Sequence, residues 1–100
     1  QVYTVYVVDD KNILQGIVSL KRLLVSPDNK KIKDIYKDNV ISVKADVKDE
    51  EVGNIMDKYD LVVVPVVDEI GRLLGRITID DVVDVIKEEA EKDYQMASKV

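Results

Sequence analysis

The chain has 100 residues, 46% of them hydrophobic, and 15 Lys and Arg against 20 Asp and Glu give it a net charge of -5 at pH 7. This length suits one domain with a single core, and no apolar run reaches the roughly 18 residues that a membrane span needs. The absence of Cys and His excludes disulfides, thiolate zinc sites and imidazole chemistry. The lack of Cys favours a reducing compartment such as the cytosol, and the net negative charge disfavours nucleic-acid binding.

The first 25 residues predict the order strand, turn, strand, helix. A β-branched run at residues 4–8 leads through an Asp-led polar turn to a second apolar run containing Gly16, after which Ser19 opens a helix. Neither a basic leader nor an apolar signal segment stands before this pattern. We therefore expect the chain to be part of a larger protein.

Residues 26–39 form a predicted connector of turn formers, with a short helical turn expected near residues 31–36. After the connector, Val40 to Val43 alternates like a strand, and residues 47–59 carry apolar side chains on one helical face. Asp46 is expected to cap that helix. Residues 62–67 and 73–77 predict an antiparallel hairpin, and a last helix follows. The expected fold is α/β (α+β), with a complete β-α-β-β-α unit preceded by a partial β-β-α unit.

An internal repeat supports this division. A shift of 59 positions aligns residues 4–24 with residues 63–83 without a gap. The recurring residues are Val5, Val7, Val8, Asp9, Leu14 and Gly16, which correspond to Val64, Val66, Val67, Asp68, Leu73 and Gly75. Such agreement indicates two copies of one structural unit, of which the first lacks its leading strand and helix.

Residues 64–81, VPVVDEIGRLLGRITIDD, carry a motif that resembles the CBS domain pair, also called a Bateman module. Arg76 stands where that motif has an apolar residue. The resemblance divides the chain into half of a first CBS motif (residues 1–25), a connector (26–39), a complete second motif (40–90) and the start of a connecting helix (91–100). It implies a non-catalytic regulatory module that binds adenine nucleotides or metal ions and forms a homodimer.

The sequence of the last helix is similar to one particular group of proteins that contain CBS domains. Its sequence TIDDVVDVIKEEAEKDYQMAS, preceded by YDLVVVPVVD, is similar to the end of the cytosolic CBS pair of MgtE-type magnesium transporters, where the chain enters the connecting, or plug, helix. This similarity implies an Mg²⁺ sensor at the cytoplasmic face of the cell membrane, with a membrane transport domain after Val100. Two alternatives stay open: an adenine-nucleotide-sensing CBS module of another host protein, and a purely structural dimerisation module.

Thr78 and Asp81 mark a predicted nucleotide site at the start of the last helix, where free N–H groups and the helix dipole attract phosphate. The CBS resemblance implies that Thr78 contacts the phosphate of ATP or AMP and that Asp81 holds the ribose hydroxyls. The backbone that would flank the adenine belongs to Val63, Val64, Pro65 and Val66. The spacing Thr-x-x-Asp equally fits a capping box, and in the first copy Arg22 replaces the carboxylate.

Carboxylates also line the last helix opposite its apolar face. Asp80 and Asp84, and Asp84 and Glu88, are like charges spaced i,i+4, which oppose helix stability. A hydrated Mg²⁺ ion would relieve this repulsion and gain the oxygen ligands that it prefers. The resemblance implies that the metal ligands are Asp81, Asp84, Glu89 and Asp93, although Lys92 stands where the family pattern is acidic. The alternative is that these acids only favour the helix dipole and solvation.

Asp81 belongs to both predicted sites, so binding of nucleotide and of Mg²⁺ would be coupled. An enzymatic role is not expected, because the chain carries neither a P-loop nor a nucleophile paired with a base.

Overall fold

The computed structural model describes residues 3–98, with side chains given up to Glu91 except those of Ile86 and Glu89. Two strands and a helix are followed by a short helix and then by the order strand, helix, strand, strand, helix. The predicted β-β-α and β-α-β-β-α order is thereby confirmed. The elements are β1 (Thr4–Val8), β2 (Leu14–Ser19), α1 (Leu20–Val25), α2 (Ile32–Ile35), β3 (Val43–Lys44), α3 (Asp49–Tyr59), β4 (Val63–Val67), β5 (Leu73–Thr78) and α4 (Ile79–Ser98).

The two hairpins repeat each other in detail. β1 pairs with β2, and β4 pairs with β5, both antiparallel and in the same register. Each hairpin has an irregularity at the corresponding place, between Val7 and Val8 and between Val66 and Val67. β3 adds to the other side of β4 in parallel, so β4 is the central strand of the second sheet.

An aspartate organises the turn of each hairpin. Asp9 Oδ1 accepts hydrogen bonds from the backbone N–H groups of Lys11 and Ile13, both at 2.9 Å. Asp68 Oδ1 does the same for the residues two and four positions further on, at 3.1 and 2.8 Å. Each turn also contains one residue in the left-handed region, Asn12 with φ 66° and Gly71 with φ 92°. Asn and Gly are the residue types that adopt this conformation most readily.

These turns join the two copies. Leu14 N–H donates to the Gly71 carbonyl and Leu73 N–H donates to the Asn12 carbonyl, both at 2.9 Å. The Asn12 side chain adds a bond to the Leu73 carbonyl at 2.8 Å. Leu14 and Leu73 are equivalent positions of the repeat, and so are Asn12 and Gly71. Each copy therefore donates the same bond to the other, which gives the contact local pseudo-two-fold symmetry.

The connector is anchored on β2. Ile17 N–H donates to the Lys37 carbonyl, and Lys37 N–H donates to the Ile17 carbonyl, both at 2.9 Å. Gly16 makes this approach possible, because a Cβ there would overlap the Lys37 carbonyl oxygen and the Tyr36 ring. The short helical turn expected in the connector is present as α2.

The principal core belongs to the second copy. Its buried members come from β3, α3, β4 and α4: Val43, Val52, Met56, Val64 and Val82. They are at most 5% exposed. In the first copy, among the residues described, only Val18 is a buried hydrophobic residue. Burial of apolar area is the main favourable term in folding. We therefore expect the core of the second copy to contribute most of the free energy of folding.

Two local predictions were wrong. Asp46 does not cap α3: the N-cap is Lys48, without a side-chain bond, and the helix begins at Asp49. An acidic first turn of Asp49, Glu50 and Glu51 complements the helix dipole instead.

The leading strand is also shorter than the predicted Val40 to Val43, because β3 comprises only Val43 and Lys44. A bond of 3.0 Å from Val40 N–H to the Asp38 carbonyl closes a tight turn just before it. This turn keeps Val40 and Ile41 out of the β3–β4 ladder, and both residues line a groove between the copies.

Candidate ligand-binding grooves between the two copies

Two grooves lie where the repeats face each other. The first groove has a volume of about 260 Å³ and the second of about 530 Å³. Both are lined by Thr4, Tyr6, Val62 and Val63. Residues 39–41 form an additional wall of the first groove. In the second groove, Arg76, Thr78 and Asp80 contribute polar groups at the junction of β5 and α4.

The structure places the predicted nucleotide-site residues partly in the two grooves and partly in the core. Val63 and Thr78 line the second groove, whereas Pro65 lines the first. Val64 is 0% exposed in the core, and Val66 packs against that core. Val64 therefore offers a ligand neither its side chain nor its backbone, and Val66 is only partly exposed. Thr78 and Val63 thus share the second groove, whereas Asp81 is not among the residues that line it.

Thr78 and Asp81 form a complete capping box at the start of α4. Asp81 Oδ2 accepts from Thr78 N–H at 3.1 Å and from Thr78 Oγ1 at 2.9 Å. Thr78 Oγ1 in turn accepts from Asp81 N–H at 3.3 Å. The bond from Thr78 N–H lowers the pKa of Asp81 most, and the bond from the Thr78 hydroxyl lowers it further. The nearby positive charge of Arg76 acts in the same direction. Asp81 is exposed, and its Oδ1 makes no hydrogen bond within the described part of the chain.

Thr78→Val should raise the pKa of Asp81 toward its ordinary value, because it removes the hydroxyl that bonds the carboxylate. Carbon-detected NMR titration of Asp81 measures this pKa, and Thr78→Ser is the control that keeps the hydroxyl. Since the folded-state pKa is lowered, Asp81 stabilises the fold above its ordinary pKa, and this contribution is lost as the pH falls through the folded-state value. An unchanged pKa in Thr78→Val would contradict the assigned bond.

The corresponding start of α1 has a different chemistry. Ser19 Oγ accepts from Arg22 N–H at 3.1 Å, so the hydroxyl cap is repeated. Arg22 stands where the second copy has Asp81, and a guanidinium cannot reach back as an acceptor. The exposed carboxylate at a helix start is therefore specific to the second copy.

Tyr6 and Arg76 are groove residues that the sequence did not single out as ligand contacts. Tyr6 lines both grooves, and its buried hydroxyl has no hydrogen-bond partner among the described residues. Burial raises the pKa of Tyr6, although the charge of Arg76 partly opposes this effect. The sequence signal was the pair of departures from the repeat: Tyr6 aligns with Pro65, and Arg76 aligns with Ile17.

The acidic stripe of α4 is exposed where the structure describes it. Asp81 and Asp84 lie one turn apart and both face solvent. The side chains of Glu89 and Asp93, the other predicted metal ligands, lie outside the described residues. Among the side chains that are described, no three acidic groups converge as a metal cluster would require. Asp81 and Asp84 could share one hydrated ion, because Mg²⁺ commonly keeps several of its waters.

Within residues 3–98, none of the helices combines the length and the apolar character needed to cross a bilayer.

The internal repeat and the β-α-β-β-α order of the second copy agree with the predicted CBS module. The sequence pattern of the CBS domain matches residues 32–88. The chain belongs to the CBS domain family.

Its relatives include magnesium transporters. The chain is 45% identical to the magnesium transporter MgtE of Thermus thermophilus over 99% of its own length and 22% of that protein. The chain thus spans about a fifth of the length of this curated relative.

Solved structures agree with this similarity. The crystal structure of the soluble part of a magnesium transporter superposes with a TM-score of 0.80 at 44% identity, over 90% of this chain and 35% of that one. The cytosolic domain of the Mg²⁺ channel MgtE in complex with ATP superposes with a TM-score of 0.78 at 45% identity, over 85% and 34% of the two chains.

Proposed function

We propose that this chain is a non-catalytic regulatory part of a magnesium transporter, on the cytoplasmic face of the cell membrane. In this role it senses intracellular Mg²⁺ through carboxylates of α4, binds an adenine nucleotide between its two copies, and controls transport by a membrane domain of the parent protein. The observation that carries the proposal is the exposed Asp81 carboxylate at the start of α4, which is bonded to Thr78 of the second groove in a chain similar to MgtE over nearly its whole length.

The second groove supplies the chemistry for a nucleotide. Thr78 lies at the N-terminus of α4, where the helix dipole favours phosphate, and its hydroxyl donates to Asp81 Oδ2 and so orients the carboxylate. The Arg76 guanidinium adds positive charge suited to phosphate oxygens. Asp81 Oδ1 can accept from ribose hydroxyls while Oδ2 remains bonded to Thr78. The similar MgtE domain was crystallised with ATP, and we assign ATP or AMP to this groove.

The metal hypothesis rests on charge and exposure. Asp81 and Asp84 face solvent on one helix, and Glu89 and Asp93 continue the acidic sequence of α4. Carboxylates from one helix leave room for ligands from a second surface, so bound Mg²⁺ would hold α4 against a neighbouring element. Such a contact would couple Mg²⁺ concentration to the arrangement of the parent protein.

We also infer that the module forms a homodimer through its helices. Equivalent positions of α1 and α4 carry exposed apolar side chains. Leu20 and Leu24 are 39% and 77% exposed, and their counterparts Ile79 and Val83 are both 41% exposed. Exposed apolar stripes of this kind favour association.

Calorimetric titrations with MgCl₂, and separately with ATP and AMP in Mg²⁺-free buffer, test both sites. Asp84→Asn should weaken Mg²⁺ binding at least about tenfold, which corresponds to about 1.4 kcal/mol, because it removes a charged oxygen ligand, and it should leave nucleotide binding unchanged. Thr78→Val should weaken nucleotide binding and spare Mg²⁺, and Asp81→Asn should weaken both.

Asp28→Asn is the matched control, since it removes an exposed carboxylate from the connector, away from both sites. Equal Mg²⁺ heats in the wild type and Asp84→Asn would contradict the metal assignment. Nucleotide heat without any Mg²⁺ heat would favour a nucleotide-sensing module of another host, and silence toward every ligand would favour a structural dimerisation module.

A further inference from the structure

Residues 21–37, which we call the basic strip, differ in charge from the rest of the chain. The strip runs from the first turn of α1 through most of the connector and contains six basic and two acidic residues. Its net charge is +4, whereas the other 83 residues together carry -9. The strip is therefore a positive segment of a negative chain. Its basic residues are Lys21, Arg22, Lys30, Lys31, Lys33 and Lys37.

The positive charges of the basic strip are not neutralised within the chain. All six basic residues are exposed, and among the side chains that the structure describes, none of their ammonium or guanidinium groups forms an ion pair. The strip's own acids do not pair with them either, since Asp34 Oδ2 accepts from the backbone N–H of Lys31 at 3.2 Å. A run of free cationic side chains attracts a negatively charged partner.

Exposed apolar side chains lie among these cations. Val25 is 71% exposed and stands one turn after Lys21 and Arg22, on the same face of α1. Ile32 in α2 is 41% exposed and has a lysine on either side of it in the sequence. The apolar stripe of α1 that we assign to the homodimer lies on a different face of that helix. Basic side chains combined with exposed apolar ones are typical of surfaces that lie in a membrane interface.

The second copy has the opposite character at the same places of the repeat. The positions of α4 that correspond to Lys21, Arg22 and Val25 are all acidic: Asp80, Asp81 and Asp84. The positive surface is thus confined to the first copy and the connector. Exposed charges more than about 8 Å apart are largely screened at physiological ionic strength, so acids beyond that distance do not prevent the strip from binding a negative surface.

We propose that the basic strip docks on an anionic phospholipid surface, with its lysines at the lipid phosphates and with Val25 and Ile32 inserted among the headgroups. The proposal rests on the proposed function only for the place where such a surface is available, which is the cytoplasmic leaflet. Anionic lipids of that leaflet attract basic segments that lie close to the membrane. Docking would give the module a second attachment besides its connection to the membrane domain, and would fix its orientation.

An acidic protein surface fits the basic strip less well. The acidic side of α4 in a second copy would supply carboxylates, because Asp80, Asp84 and Glu88 follow one another at intervals of four residues. That side provides no apolar cover for the exposed side chains of the strip. A lipid surface supplies negative charge and an apolar layer together. Lysines suit it because an ammonium group acts as a point charge that needs no fixed partner geometry.

Cosedimentation with sucrose-loaded vesicles tests the proposal. The vesicles contain phosphatidylcholine with about 30% phosphatidylglycerol, and pure phosphatidylcholine vesicles are the neutral control. We expect half of the chain to bind at about 1 mM anionic lipid, and at least about tenfold weaker binding to the neutral vesicles. The buffer contains EDTA and no nucleotide, so failure of this proposal is distinguishable from failure of the proposed function.

Lys30→Ser combined with Lys31→Ser should weaken binding to anionic vesicles about thirtyfold, because each lysine near the lipid surface contributes about fivefold. Lys11→Ser combined with Lys48→Ser is the matched control. It removes the same charge from exposed positions outside the strip and should weaken binding less than about threefold.

Val25→Ser should weaken binding about fivefold, because it removes an apolar side chain from the interfacial layer. Val62→Ser, at a position that is 54% exposed outside the strip, should leave binding unchanged. The proposal is overturned if neutral vesicles bind as well as anionic ones, if no binding occurs up to about 10 mM lipid, or if both lysine pairs weaken binding equally. Tighter binding to a polyglutamate peptide or to a single-stranded oligonucleotide would also overturn it, since the partner would then be another macromolecule.

Discussion

Gly16→Val should lower the free energy of unfolding by about 3 kcal/mol, whereas Gly75→Val should change it by less than about 1 kcal/mol. A side chain at Gly16 would overlap the Lys37 carbonyl oxygen and the Tyr36 ring. It would force apart the backbone bridge between Ile17 and Lys37, whose hydrogen bonds are 2.9 Å long. Gly75 occupies the equivalent position, but a Cβ there enters open space.

Urea unfolding followed by circular dichroism measures both changes. Gly75→Val is the matched control, because it introduces the same side chain at the same position of the repeat. Because valine prefers the strand conformation, Gly75→Val on an open edge should leave the stability unchanged or raise it slightly. Equal losses of stability in the two variants would show that the connector does not pack on β2 as the structure describes.

Local sequence patterns were sufficient for the order of the elements and for the second hairpin. Alternating β-branched residues, an Asp at the turn of each hairpin and a hydroxyl at the starts of α1 and α4 are short-range signals, and the structure uses all of them. The alternative interpretation of Thr78 and Asp81 as a capping box also proved correct for the chain as described. That cap leaves one carboxylate oxygen available, so it does not decide against a ligand.

Contacts between distant segments were not predictable from those patterns. The pairing of Lys37 with Ile17 joins two segments that are 20 positions apart, and nothing in the connector reads as a strand. β3 is short because a tight turn at Asp38 and Val40 directs the preceding residues into the first groove. Gly16 and Gly75 are identical in sequence, so their different surroundings came only from the tertiary structure.

The residues that line the grooves could likewise be predicted only in part from the sequence. The family resemblance implied Thr78 and Val63, which both line the second groove, but also Val64, which the core buries completely. Tyr6 was missed because its importance arises from the meeting of the two copies. The sequence motif therefore predicts which positions stand near the start of α4, whereas the access of each residue to a ligand depends on what the core and the other copy cover.

Val64→Ala should lower the free energy of unfolding by about 2.5 kcal/mol, and Val5→Ala, at the equivalent position of the first copy, should lower it by less than about 1 kcal/mol. Val64 is 0% exposed at the centre of the core that β3, α3 and α4 share, while Val5 is 37% exposed. Removing methyl groups from a closed core loses their burial and leaves a cavity. At Val5, solvent already reaches the side chain.

The comparison tests whether the second copy provides most of the stability. Chemical unfolding of both variants, analysed with a common denaturant slope, measures the difference. Similar losses for Val5→Ala and Val64→Ala would mean that the first copy buries its strand as fully as the second, for example within a homodimer. Repeating the measurement across a wide range of protein concentration separates that case, since dimer stability depends on concentration and the stability of a monomeric core does not.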